Sequence, residues 1–287
     1  MKPLGESTVA VVGLGLMGAS MAWKLKQDGA ALRVLGVVHR AETGRKALER
    51  GIVDEIIPWT EALSADLLVL ATPVRTIIRQ LGEITGAPGL VIDLGSTKSA
   101  IVRAMESLPE GVRAVGGHPM CGKEASGIDA ADPELYRGCT FVLVPTSRSD
   151  EESMALAREL ALALGSVPML LDPERHDRLV AAISHLPYMV SSALMWLVSE
   201  IAEEDETVLD VAASGFRDTS RLAASDVKMM MDILITNREQ VLDLLAAYQE
   251  RISRLADLLE SGDGSDLSDL LGSIRESRIA LGRKKGW

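Results

Sequence analysis

The segment Gly116-Gly117-His118-Pro119-Met120-Cys121-Gly122-Lys123-Glu124 brings a histidine, a lysine and a carboxylate together directly after a β-branched run. Histidine is the side chain whose ordinary pKa lies nearest neutrality, so His118 suits removal of a proton from an alcohol while hydride leaves for a nicotinamide. Two other chemistries fit this loop less well. Residues 117–123 follow the first seven positions of a phosphate-binding loop, but Glu124 stands where Ser or Thr should hold magnesium, and Pro119 lacks an N–H. Cys121 near His118 suggests a metal ligand or a thiol nucleophile. Too few further ligands have recognisable spacing, so Cys121 reads as a small buried residue.

A hydride acceptor needs a site, and Gly13-Leu14-Gly15-Leu16-Met17-Gly18 supplies the pattern for one between an apolar run and a helical stretch. Gly13 permits a tight turn, Gly15 lets backbone approach a pyrophosphate, and Gly18 allows close helix packing. The first helical N–H groups, around Leu16 and Met17, would meet the anion. Thr72 and Pro73, directly after the run 67–71, are assigned to the same cofactor site. The second run ends in Val37-Val38-His39-Arg40, with no acidic residue to hold the ribose hydroxyls of NAD. His39 and Arg40 can receive a 2′-phosphate instead, which favours NADP over NAD.

Two further clusters invite chemistry. Asp93-Leu94-Gly95-Ser96-Thr97-Lys98 joins a strand end to a helix start, so Ser96 or Thr97 is a helix cap, a ligand contact, or both. Gly215-Phe216-Arg217-Asp218-Thr219-Ser220-Arg221, with Ser184-His185-Leu186-Pro187-Tyr188 upstream, lies in the second half. An arginine there offers a planar fork to an acidic substrate, or an ion pair to the many local acids.

The elements that must position these residues are readable from periodicity. Short β-branched runs at 8–12, 32–38, 67–71, 90–93, 113–116, 140–144 and 167–171 alternate with amphipathic stretches such as 41–50, 75–85, 99–108 and 151–164. That is the pattern of an α/β fold with a doubly wound, Rossmann-like, mostly parallel sheet. After Pro173 the runs stop, which divides the chain into a nucleotide domain, 1–172, and an all-α domain, 173–287. The uncharged window 179–198 is about long enough to span a bilayer. Its Ser184, His185, Pro187, Ser191 and Ser192 suit a helix buried in protein better than one in lipid. Val241, Leu245, Tyr248, Ile252, Leu255 and Leu259 recur at gaps of four and three, a seam for packing within a bundle or against another subunit.

Of 287 residues, 41 are acidic and 30 basic, and the net charge of −11 argues against a polyanion partner. Four Trp, three Tyr and two Phe are too few for a stacking surface on single-stranded nucleic acid. Two cysteines make no disulfide framework, and the opening residues lack signal-peptide features, so a reducing cytoplasm is the expected setting.

In combination, the chain resembles the prephenate and arogenate dehydrogenase family of tyrosine biosynthesis. The likeness rests on VVGLGLMGASMA at 11–22, DLGSTKSAI at 93–101, GGHPMCGKEASGI at 116–128, SHLP at 184–187 and SGFRDTSR at 214–221, in that order. It implies His118 as the catalytic histidine, Ser96 on the substrate ring hydroxyl, Arg221 on a substrate carboxylate, Glu124 within the active site, and a homodimer formed through the helical domain. Many members carry a second histidine where this chain has Tyr188, and a threonine where it has Lys123. With His185, these two are expected at the substrate, and they leave prephenate against arogenate open. The implied reaction is oxidative decarboxylation to 4-hydroxyphenylpyruvate or tyrosine. GLGLMGASMA is also similar to the opening of β-hydroxyacid dehydrogenases, but those depend on a helical-domain lysine, and here none precedes Lys228 in that half. A nucleotide-sensing regulator without turnover is the alternative outside enzymes.

Overall fold

The computed structural model describes residues 1–86, 88–262 and 264–286. Among these, eight strands form one sheet: β1 (Thr8–Val12), β2 (Arg33–Val37), β3 (Glu55–Ile56), β4 (Leu67–Leu70), β5 (Leu90–Asp93), β6 (Arg113–Pro119), β7 (Thr140–Pro145) and β8 (Val167–Leu170). Their order is β3-β2-β1-β4-β5-β6-β7-β8. Every neighbouring pair is parallel except β6 with β7. The helices α1 (Leu16–Gln27), α2 (Ala41–Glu49), α3 (Trp59–Ala62), α4 (Val74–Gly82), α5 (Ser99–Glu106) and α6 (Glu151–Ala163) lie between strands.

Strands covered on both faces need continuous apolar runs. In β1, Val9 and Val11 enter one buried layer with Met21, Leu25 and Ile92, while Ala10 and Val12 enter the other with Leu68, Ile77 and Ile101. The seven runs expected as strands are all found. β3, two residues long, is too short to leave a periodicity. β7 turns antiparallel because the connection 120–139 contains only a short 3-10 helix, and a parallel return normally needs a long crossover. The strand order reverses between β1 and β4, which opens a crevice outside their C-terminal ends.

After β8 come α7 (Pro173–Val180), a π-helical turn at Ala181–His185, α8 (Leu186–Glu204), α9 (Thr207–Asp210), α10 (Ser214–Ser220), α11 (Val227–Thr236), α12 (Arg238–Glu260) and α13 (Gly264–Lys285). The compact units are Met1–Arg238 and Glu239–Trp287. The change at 172/173 therefore marks the end of the strands, while α7 to α11 stay in one unit with the sheet. Their polar side chains explain it: Asp177 accepts from the Lys98 and Ser99 N–H groups, and the Thr236 hydroxyl meets that of Thr97 at 2.8 Å.

The window 179–198 departs from expectation. It falls in the helical stretch Pro173–Glu204, which by length and composition could cross a membrane. It is not the buried core helix predicted from its apolar run. In α8 only Ser191 is fully buried, and Trp196 is 69% exposed. An apolar helix packed along one stripe leaves its other faces for a further partner.

Candidate active site

The turn after β1 is shaped by close approach. Gly13 has φ of +95°, and a β-carbon there would stand 2.8 Å from both the Ala71 carbonyl oxygen and Thr72 Cγ2. A β-carbon on Gly18 would collide with the Gly13 carbonyl, whereas one on Gly15 would meet nothing within 4 Å. Gly15 thus faces open space where a ligand can approach. α1 starts at Leu16 with Gly15 as its N-cap and no side chain capping it. This leaves the first-turn N–H groups at Leu16, Met17 and Gly18 for an anion. Thr72 donates to Gln80 Oε1 at 2.7 Å and Pro73 precedes α4, so both form wall. His39 and Arg40 are exposed at the end of β2, and neither side chain makes a hydrogen bond or ion pair among the described residues. These features fit a dinucleotide.

Beside this turn the end of β5 is locked to β6. Asp93 and Lys98, both fully buried, form an ion pair, and Lys98 also donates to the Gly117 carbonyl at 2.7 Å. Asp93 accepts from the N–H groups of Gly95 at 2.7 Å and Gly117 at 3.1 Å. Burial lowers the Lys98 pKa, against the pull of Asp93. The pair holds the residue before His118. Its loss would be expensive, since breaking a buried pair costs about 3–5 kcal/mol.

His118 Nδ1 lies 2.8 Å from His176 Nε2, and His176 Nδ1 lies 2.8 Å from Asp177 Oδ1. The two rings meet edge to face at 5.0 Å between centroids. Burial opposes ionisation of Asp177, but hydrogen bonds from His176 and from the Lys98 and Ser99 N–H groups hold its pKa below the ordinary carboxylate value. Asp177 is therefore an acceptor only. When both imidazoles are neutral, one assignment satisfies the chain of contacts. His176 Nδ1–H donates to Asp177, His118 Nδ1–H donates to His176 Nε2, and the lone pair of His118 is left on Nε2. Burial, followed by His176, Lys98 and His185, holds the His118 pKa well below 6.5, so the ring is neutral at pH 7.

The remaining expected residues divide. Ser96 is half-buried with no hydrogen-bond partner among the described residues. Neither it nor Thr97 caps α5, as one reading of the sequence had it, because Asp177 takes that role from across the fold. Arg221 and Glu124 come together as an exposed ion pair. Lys123, expected at the substrate, pairs with Asp132 at 2.6 Å. Arg217 pairs with Asp218 at 2.9 Å. His185 is 1% exposed, and its Nδ1 lies 3.2 Å from Asn237 Nδ2, which donates to the Asp177 carbonyl at 2.8 Å. His185 thus sits in a layer supporting Asp177. Tyr188, half-buried, is three residues further along.

Lys98, His176, Asp177 and Asn237 were missed as functional residues. One signal was available: three of the four histidines in the chain converge here, and His176 is followed directly by an aspartate near a helix start.

The model of the prephenate dehydrogenase nucleotide-binding domain matches residues 21–170, and that of the prephenate dehydrogenase dimerization domain matches residues 172–273. Prephenate dehydrogenase of Lactococcus lactis subsp. cremoris is 33% identical over 285 residues, which span 97% of this chain and 78% of that protein. The crystal structure of prephenate dehydrogenase from A. aeolicus in complex with hydroxyphenyl propionate and NAD+ superposes with a TM-score of 0.90 at 30% identity, over 98% of this chain and 100% of that one. That of Synechocystis arogenate dehydrogenase gives 0.80 at 33% identity, over 96% and 99%.

Proposed function

Because this chain belongs to the prephenate dehydrogenase family, we propose that it oxidatively decarboxylates prephenate or arogenate with His118 as the general base. It is an NAD(P)-dependent dehydrogenase. The observation that carries the proton-transfer role is the chain of contacts from His118 through His176 to Asp177, which leaves His118 Nε2 as an acceptor at the end of β6.

The uncapped N–H groups of Leu16, Met17 and Gly18 hold the pyrophosphate, and Gly15 gives it room. A nicotinamide bound there would supply the acceptor for the hydride on the hydroxyl-bearing ring carbon of the substrate. His118 Nε2 takes the hydroxyl proton, and the imidazolium is steadied through His176 by the Asp177 anion. Ser96, free of other bonds, positions that hydroxyl. As the ring C–O becomes a carbonyl, the bond to the ring carboxylate breaks and leaves its electron pair in the ring, carbon dioxide departs, and the aromatic phenolate so formed takes the proton back from His118. Arg221 holds the other carboxylate, and a substrate displaces Glu124 from the guanidinium to reach it. His39 and Arg40, uncommitted at the end of β2, favour NADP through its 2′-phosphate. The enzyme acts as a cytoplasmic homodimer through its helical part, where the dimerization-domain model matches.

Purified protein, each substrate and each nucleotide in the four pairings, and the absorbance of reduced nicotinamide test the reading. Turnover with one or more pairings is expected; none with any pairing would abolish it. Arg40→Ala should weaken NADP(H) binding and spare NAD(H). Equal affinities before and after the substitution would remove Arg40 from the cofactor site.

A further inference from the structure

β6 and β7 pair antiparallel with His118 opposite Val142 and Pro119 opposite Phe141. The ladder continues one step beyond β6, with the Met120 N–H donating to the carbonyl of Thr140, the first residue of β7, at 2.8 Å. Carried one residue further, this register sets Cys121, just past β6, opposite Cys139, just before β7. Because Met120 and Thr140 form a hydrogen-bonded pair, the cysteines fall at a non-hydrogen-bonded position, where facing α-carbons approach to about 4.5 Å. A disulfide spans α-carbons about 4.4–6.8 Å apart. The same parity places both cysteines against the buried layer that holds Val115, Phe141 and Leu143, while Met120 packs against the other face with Val142.

The thiols sense each other. Contacts with Cys121 and Ser166 outweigh burial and bring Cys139 down to about 6, and the contact between the two thiols pushes Cys121 up. Both residues are free and half-buried, within reach of a small thiol reagent. Their neighbours belong to the site. Fully buried Tyr136, whose own ionisation burial and the two cysteines oppose, donates its hydroxyl to the Met17 carbonyl at 2.8 Å in the glycine-rich turn. Cys121 also opens the loop that carries Lys123 and Glu124.

We propose that Cys121 and Cys139 are a redox modification site: they close reversibly to a cross-strand disulfide by exchange with glutathione disulfide, and closure lowers turnover. The Cys139 thiolate attacks one sulfur of glutathione disulfide, whose S–S bond breaks and releases one glutathione thiolate. Cys121 then gives its proton to solvent and displaces the second glutathione from Cys139. Two protein thiols are oxidised and one glutathione disulfide is reduced to two glutathiones. The new bond pins the start of the Lys123–Glu124 loop to β7 above Tyr136 and Met17.

The test incubates native protein in glutathione buffers of rising oxidised fraction and reads intact mass, peptide map and turnover. The expected result is a loss of two hydrogen atoms, a single linked peptide pair joining Cys121 to Cys139, a parallel fall in kcat/KM, and recovery of both with dithiothreitol. Cys121→Ser should stop at a stable glutathione adduct on Cys139. Separate adducts with no linked peptide would overturn the pairing, and a disulfide that leaves kcat/KM unchanged would overturn its control of turnover. The mass readout is independent of the reaction assigned above, so failure of that assignment and failure of this one are distinguishable.

Discussion

His118 accepts a proton only while its Nε2 carries the lone pair, and Asp177 decides this through His176. Asn at position 177 keeps one oxygen for a helix N–H but brings an amide that donates to His176 Nδ1. Both rings then exchange tautomers, and His118 Nε2 becomes protonated. Asp177→Asn is thus expected to lower kcat by about 10²–10⁴, the usual worth of a general base. His118→Asn should do the same, with the dinucleotide Kd nearly unchanged in both. Steady-state rates paired with nucleotide titration check this, and a near-normal kcat in Asp177→Asn would reduce the aspartate to a helix cap. The histidines also set a pH dependence of stability. Unfolded histidine takes up its proton near pH 6.5, whereas burial pushes folded His185 down to about 4, against Asp177 and with His176. Between these values the unfolded chain binds more protons, so the contribution of neutral His185 is complete above about pH 6.5 and is lost as the pH falls to about 4. His185→Gln should flatten melting temperature against pH within that window. An unaltered slope would show that His185 does not titrate there.

Between elements, the decisive contact is the carboxylate of α7 on the start of α5, where Asp177 accepts from Lys98 N at 2.6 Å and Ser99 N at 2.8 Å. Asp177→Ala leaves both donors bare, at about 1–3 kcal/mol for each buried N–H without a partner. Asp177→Asn keeps one acceptor. Denaturant midpoints should therefore fall further for the alanine than for the asparagine variant, and equal midpoints would mean that α5 is held by packing alone. This contact also shows where sequence reading stops. Strands buried on both faces must be continuous apolar runs, so seven of eight were readable, and the glycine-rich turn follows one of them with Gly13, Gly15 and Gly18 in fixed roles. His118 and Ser96 stand out because each closely follows an apolar run in the sequence. The cap of α5 reads locally as Ser96 or Thr97, yet the fold supplies Asp177 from 79 residues past Lys98. His176 reaches His118 across 58 residues. No periodicity or spacing reports a contact formed only when α7 settles on the sheet.

For the molecule as a whole, the unresolved energy lies in apolar surface. On α8, Leu197 is 55% and Ile201 44% exposed, one turn apart on the same helical face. In the separate unit 239–287, Ile252 is 48% and Leu259 71% exposed along the seam of alternating gaps. Exposed apolar patches of this extent on a chain that also packs a dense sheet core call for a cover, and both sets fall within the residues matched by the dimerization-domain model. A net charge of −11 disfavours indiscriminate self-association, so the cover must be a specific, complementary surface. In the homodimer proposed above, a second copy of the chain would provide one, each helical face meeting its equivalent about a two-fold axis. Light scattering should give twice the mass of one chain for the native protein. Leu197→Glu with Ile201→Glu should give one chain mass, because two carboxylates of each subunit would be buried against apolar surface with no partner charge. The nucleotide turn lies away from these substitutions in sequence, so dinucleotide binding should survive in the monomer. A double variant that remains a dimer would show that α8 is not at the interface.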